Sequence, residues 1–103
     1  MISNTLTHPE QLARERVIIE VESWFTVLLT KATDLRCRVQ LENRIQKSAY
    51  IYRAFDGFKL GRIWVNYSGV ICYEPNHLSV SRNATYQACH LSQALIQIIS
   101  YHF

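Results

Sequence analysis

Arginines interleaved with aromatic rings are the residues of this chain best suited to chemistry, and they crowd between Ser48 and Glu74. That stretch, SAYIYRAFDGFKLGRIWVNYSGVICYE, holds Arg53, Arg62, Phe55, Phe58, Trp64 and Tyr73, and Arg36 and Arg38 stand shortly before it. Planar rings stack on bases or on partner side chains, while guanidinium groups hold phosphates or carboxylates. Such a set suits RNA or single-stranded DNA binding on a sheet surface. It suits a protein–protein hot spot equally well, because Trp, Tyr and Arg dominate those. The bland reading is a face covered by the chain itself or by a second copy.

Other constellations are weaker. Cys72, His77, Cys89 and His90 are potential metal ligands, but their spacing matches no structural zinc pattern, and adjacent residues on a helix point about 100° apart. Core thiols and surface histidines are the expected reading, with no metal and no cofactor. A third function class is a small metal-free ribonuclease. His77 would serve as acid or base, with Glu74, Arg53 and a tyrosine around it. The chain offers no Gly-rich phosphate loop, nucleophile elbow or carboxylate pair at helical spacing, so no catalytic residue is assigned.

The elements that must position these residues can be read from turns and periodicity. Asp56-Gly57 between two aromatic-rich runs signals a two-residue hairpin turn, and Ser68-Gly69 signals a second. Two-residue turns set Arg53 opposite Leu60, Ile51 opposite Arg62, Ala49 opposite Trp64, and Trp64 opposite Tyr73. Alternation then gives a core face of Tyr50, Tyr52, Ile63, Val65, Tyr67, Val70 and Cys72. The other face carries Ile51, Arg53, Phe55, Phe58, Leu60, Arg62, Trp64, Ile71 and Tyr73. A bulge at Gly61 would flip one side of this assignment.

Upstream, residues 1–6 read as a flexible tail, and Thr7-His-Pro-Glu10 reads as a capping box opening a helix to about Lys31 or Ala32. Its apolar sector holds Val17, Ile18, Val21, Trp24, Phe25, Leu28 and Leu29. Arg36–Glu42 alternates as a first strand, with Cys37, Val39 and Leu41 on one side. Pro75 ends the last strand of the meander. Ser81 or Asn83 then caps a second helix to about Tyr101, with Ala84, Ala88, Leu91, Leu95, Ile98 and Ile99 on one face. From Asn83 to Phe103 there is no Lys, Arg, Asp or Glu. A charge-free helix surface is unusual on a monomer; the helix is either sandwiched by the rest of the chain or part of a homodimer interface, with Cys89, Ile96 and Phe103 on the flank meeting the second copy.

The expected architecture is therefore one α+β domain over 1–103, a four-stranded antiparallel meander between an N-terminal and a C-terminal helix, in the order α-β-β-β-β-α. Two arrangements are open, one helix on each sheet face or both on one; both are expected on the face away from Arg53 and Arg62, since unpaired arginines are costly to bury. The α-β-β-β-α core resembles double-stranded-RNA-binding domains in element order alone. That family grips phosphates with lysines at the start of its second helix. Here Ser81-Arg82-Asn83 stands there with one positive charge, so no family is identified.

Composition narrows the partner. The net charge is +3, with three cysteines in apolar patterns and 49% apolar residues. These numbers fit a globular domain with reduced thiols, expected in the cytoplasm and not in a membrane. Residues 35–62 hold seven Lys or Arg and two acids, so the basic character belongs to the sheet. A surplus of +3 is modest for a dedicated nucleic-acid binder. The leading expectation is a non-enzymatic binding protein (inhibitor, adaptor or assembly factor) engaging a protein partner through Arg53, Arg62, Trp64, Tyr73, Phe55, Phe58, Arg36 and Arg38. RNA or single-stranded DNA is the alternative ligand.

Overall fold

The computed structural model describes residues 9–80 and 84–102. The Thr7 cap, the 1–6 tail, Ser81-Arg82-Asn83 and Phe103 lie outside the described residues. Helix α1 spans Pro9–Asp34, and strands β1 Cys37–Leu41, β2 Ser48–Arg53, β3 Lys59–Val65, β4 Ile71–Pro75 and β5 Tyr86–Ala88 follow. Helix α2 spans Leu91–Ser100. The strands form one antiparallel sheet in the order β1-β2-β3-β4-β5.

The four-stranded expectation is thus corrected to five. The fifth strand comes from residues assigned to the second helix: Ala84, Ala88 and Leu91 do fall at helical spacing, and three residues are too few to display a period of two. What decides is tertiary. β4 would otherwise be an edge, and Tyr86 stacks on Tyr73 directly opposite, with ring centroids 5.5 Å apart. The helix starts only after His90, where the Gln93 side chain accepts the Cys89 N–H at 2.8 Å.

Both hairpin loops are longer than two residues. In the first, Arg53 N–H donates to Phe58 O and Gly57 N–H donates to Arg53 O, each at 2.8 Å, enclosing Ala54–Gly57. Only Gly57 takes a positive φ, at 72°. Asp56 instead uses its carboxylate to accept the Phe58 N–H at 3.1 Å. In the second, Asn66 N–H donates to Val70 O, and the Asn66 side chain accepts the Ser68 and Val70 amides. The loop is Tyr67-Ser68-Gly69, with Gly69 at φ 80°.

Longer loops move the register. Ser48, not Ala49, faces Trp64; Tyr50, not Ile51, faces Arg62; and Trp64 faces Cys72 while Ile63 faces Tyr73. The bulge lies beside Gly61, at Leu60, which is left between the pairs Ile51–Gly61 and Tyr52–Lys59. Its carbonyl accepts the Asn76 N–H at 2.8 Å and faces His102 Nε2 at 2.9 Å, so the break in the ladder leaves no orphan acceptor.

A one-residue slip exchanges the faces of a strand. The core face is consequently Cys37, Val39, Ala49, Ile51, Gly61, Ile63, Ile71, Tyr73, Tyr86 and Ala88. Leu28 and Ala32 of α1 and Leu91, Ala94, Leu95 and Ile98 of α2 join the same core cluster. Both helices therefore pack on one face, as expected, but on the Ile51/Ile63/Tyr73 face. Gly61 lets α2 approach closely: a methyl there would lie 2.6 Å from the Glu74 carbonyl and 3.0 Å from Ile98 Cγ2.

Candidate binding surface

Among the described residues no helix packs on the opposite sheet face. On it lie Arg38, Gln40, Glu42, Tyr50, Tyr52, Lys59, Arg62, Trp64 and Glu74. Three aromatic rings and the cations between them tile its middle. The Arg62 guanidinium stands 4.6 Å from the Trp64 ring centroid, and the Lys59 ammonium 4.2 Å from that of Tyr50. Cation–π contacts of this kind hold long side chains flat across the sheet.

Arg62 is the hub. Its Nε donates to Glu42 Oε1 at 3.1 Å, and its Nη2 donates to Glu42 Oε2 at 3.2 Å and to Ser48 Oγ at 3.0 Å. The Ser48 hydroxyl, 3% exposed, donates in turn to Glu42 Oε2 at 3.0 Å. The Arg62 guanidinium, helped by Tyr50 and Ser48, draws the Glu42 carboxyl down from 4.5 to about 2. The same contact raises Tyr50, whose hydroxyl bonds the carboxylate. An arginine half-buried on a sheet is thereby satisfied without a helix over it.

At the β3–β4 turn the face runs into a cleft of about 560 Å³. Val17, Glu20 and Val21 of α1 form one wall, Ile45–Ser48 a second, and Val65–Tyr67 a third, with Arg62 and Trp64 at the junction. Its size is that of a site for one or two large side chains.

The expected site residues divide. Arg62, Trp64 and Arg38 share the open face, whereas Tyr73 is 7% exposed and belongs to the core. Arg53 pairs with Cys37 of the core-facing row, at the hairpin end. It holds Asp56 through two hydrogen bonds, Nε at 2.9 Å and Nη2 at 2.7 Å. That pairing lowers Asp56 from 3.8 to about 2. Phe55 is 83% exposed in the loop and Phe58 is 47% exposed, both beside the Arg53 guanidinium. Arg36 precedes β1 at φ 59°, a left-handed conformation. The sheet thus does not bring Arg53, Arg62, Trp64 and Tyr73 onto one face. Tyr50 and Tyr52 were missed because they lie one residue out of phase with the two-residue turns, and Lys59 because it reaches this face through the bulge at Leu60. Glu42 stands on the polar side of the first strand as expected, and only its bond to Arg62, twenty residues on, makes it part of the site.

Of the flank proposed for self-association, Cys89 is exposed before α2 and Ile96 is 53% exposed. Cys37 and Cys72 are buried thiols, and burial raises Cys37.

A second constellation occupies the other end of β3. The His77 ring lies tilted 6.0 Å from that of Tyr101 and edge-on 5.8 Å from that of His102, and His102 meets Phe58 edge-on at 5.8 Å. Ser79 N–H donates to His77 Nδ1 at 3.1 Å, and His102 Nε2 donates to the Leu60 carbonyl at 2.9 Å, which fixes both ring orientations. Glu74 lies on the open face, one residue from Tyr73 but on the other side of the sheet, and faces Arg62 rather than joining this cluster. Among the described residues no three His, Cys, Asp or Glu are placed to hold a metal ion. No described helix is long and apolar enough to cross a membrane. Comparison with models of known protein families, with curated proteins and with solved structures finds no match to this chain.

Proposed function

We propose that this protein is a non-enzymatic binding module that engages a protein partner through the open sheet face, with Trp64, Arg62, Tyr50 and Tyr52 at its centre and the adjoining cleft as an anchor pocket. One observation carries the reading: an aromatic–cation surface lies on a sheet face that neither described helix covers. Aromatic and arginine side chains in a held geometry lose little entropy on binding, and hot spots concentrate on them.

A protein partner is favoured over nucleic acid by charge and by ring accessibility. Arg38, Lys59 and Arg62 share the face with Glu42 and Glu74, and Arg62 is already ion-paired to Glu42. The Trp64 and Tyr50 rings are each capped by a cation of the chain itself. Base stacking needs free ring faces and phosphate tracking needs free cations.

The test is capture from a native host extract, kept with and without nuclease, by the parent protein and by Tyr52→Ser and Trp64→Ala. Each variant should stay folded by circular dichroism and weaken capture about thirty-fold, as loss of about 2 kcal/mol at a hot spot requires. Capture should survive nuclease and change little with salt. Unchanged capture by Trp64→Ala refutes the site. Capture abolished by nuclease, with a steep salt dependence, assigns the face to RNA or single-stranded DNA instead.

A further inference from the structure

We propose that two copies of this chain join edge to edge through β1, in antiparallel register about Val39, so that their open faces form one continuous surface. β1 is an edge strand of the sheet. Its hydrogen-bonding parity is fixed by β2: Arg36 O accepts from Ala54 N–H at 3.1 Å and Glu42 N–H donates to Ser48 O at 2.9 Å. In an antiparallel ladder the groups of alternate residues point the same way. Residues 36, 38, 40 and 42 therefore bond inward, and Cys37, Val39 and Leu41 present their N–H and C=O groups outward.

Only a dyad at Val39 overlaps the whole strand with that parity. It pairs Val39 with Val39 and Cys37 with Leu41 of the second copy, each pair exchanging both N–H···O bonds. Shifting the dyad to residue 38 would keep the parity but set Arg38 against Arg38, and shifting it to Gln40 would leave Cys37 opposite Asn43, beyond the strand end. The side chains agree with this register. Arg36 comes opposite Glu42 of the second copy and Arg38 opposite Gln40, so no like charges meet across the seam. Natural edges are often blunted by proline or a bulge, and Cys-Arg-Val-Gln-Leu has neither; its one charge, Arg38, belongs to the open face.

The helix above the edge supplies an independent observation. α1 packs over β1, and Trp24 turns toward the core cluster. Phe25, 100° further round, does not join that cluster, and Leu29, on the same flank, is 41% exposed. In the proposed dimer that flank lies beside the second α1, which would cover Phe25 and Leu29 together with the strand. Among the described residues α2 exposes a single large apolar side chain, Ile96, on its outer surface, which is little to hold a second copy.

The consequence deepens the binding reading and rests on it: Arg38 and Gln40 of both copies meet at the seam, and a partner would contact a two-fold surface. A symmetric, isologous interface of this kind is the commonest route to a dimer.

Sedimentation and oxidative crosslinking test the pairing without reference to any partner. The parent chain should sediment as a dimer at about 50 μM, within the usual range for such assays. Val39→Pro removes the outward amide at an edge position where a lone chain tolerates proline; it should keep the parent's circular dichroism and sediment as a monomer. Arg38→Cys/Gln40→Cys, in a Cys89→Ser background, should form a covalent dimer on mild oxidation, since facing residues on a non-bonded pair stand about 4.5 Å apart. A monomeric parent, a folded Val39→Pro that is still dimeric, or the absence of crosslinking overturns the pairing. Trp64→Ala should remain dimeric, so failure of the binding reading is scored separately.

Discussion

Replacing Gly61 by alanine tests the register on which the face assignment depends. The added methyl would stand 2.6 Å from the Glu74 carbonyl oxygen, 3.0 Å from Ile98 Cγ2 and 3.2 Å from Pro75 Cα. The first and third of these atoms are backbone of the adjacent strand, held by the β3–β4 ladder, and cannot rotate aside. β4 would have to part from β3, or α2 lift from the sheet. Overpacking of this kind costs about 1–3 kcal/mol where side chains can yield, and backbone resistance places Gly61→Ala at the upper end, about 3 kcal/mol. For a domain of this size that lowers Tm by about 12–24 °C.

Gly57→Ala and Gly69→Ala are the controls. Nothing lies within 4 Å of a methyl at either, but φ values of 72° and 80° leave a strain of about 1–2 kcal/mol. Thermal unfolding followed by circular dichroism should rank Gly61→Ala well below both. In the register expected from two-residue turns, Gly61 faces the adaptable Tyr52 ring, and a methyl would be absorbed. A Gly61→Ala variant as stable as Gly57→Ala would therefore refute the observed register, and with it the membership of the open face.

Two further outcomes follow from the same packing. Glu42 titrates near 2 when folded against 4.5 ordinarily, so the folded state binds fewer protons between those values and its stability there falls as pH falls; Glu42→Gln should flatten that acid limb in urea melts from pH 5 to pH 2, and an unchanged slope would remove Glu42 as its source. Trp24 is half-buried against the core, and its indole N–H finds no acceptor among the described residues. Trp24→Ala should cost about 2–3 kcal/mol, below the 3–5 of a fully enclosed ring, and Trp24→Phe clearly less; equal losses in the two variants would show that the indole nitrogen is bonded after all.

Much of this protein could be read from local pattern. The first helix, the alternation of Cys37, Val39 and Leu41, the end of β4 at Pro75, and the two positive-φ glycines each follow from chemistry confined to a few neighbouring residues. The concentration of arginine and aromatic residues in the sheet was equally plain. What the sequence left open is set by contacts distant along the chain. Asp56 can serve a tight turn or bond the Phe58 amide and Arg53, and the second arrangement lengthens the loop. Leu60 bulges because Asn76 and His102, far along the chain, take up its carbonyl. These shifts exchange Ile51 and Arg53 for Tyr50 and Tyr52 in β2, and Tyr73 for Glu74 in β4, since a strand has only two faces. Residues 86–88 satisfy a helical spacing as readily as a strand, and the open edge of β4 with Tyr73 waiting to stack is what decides between them.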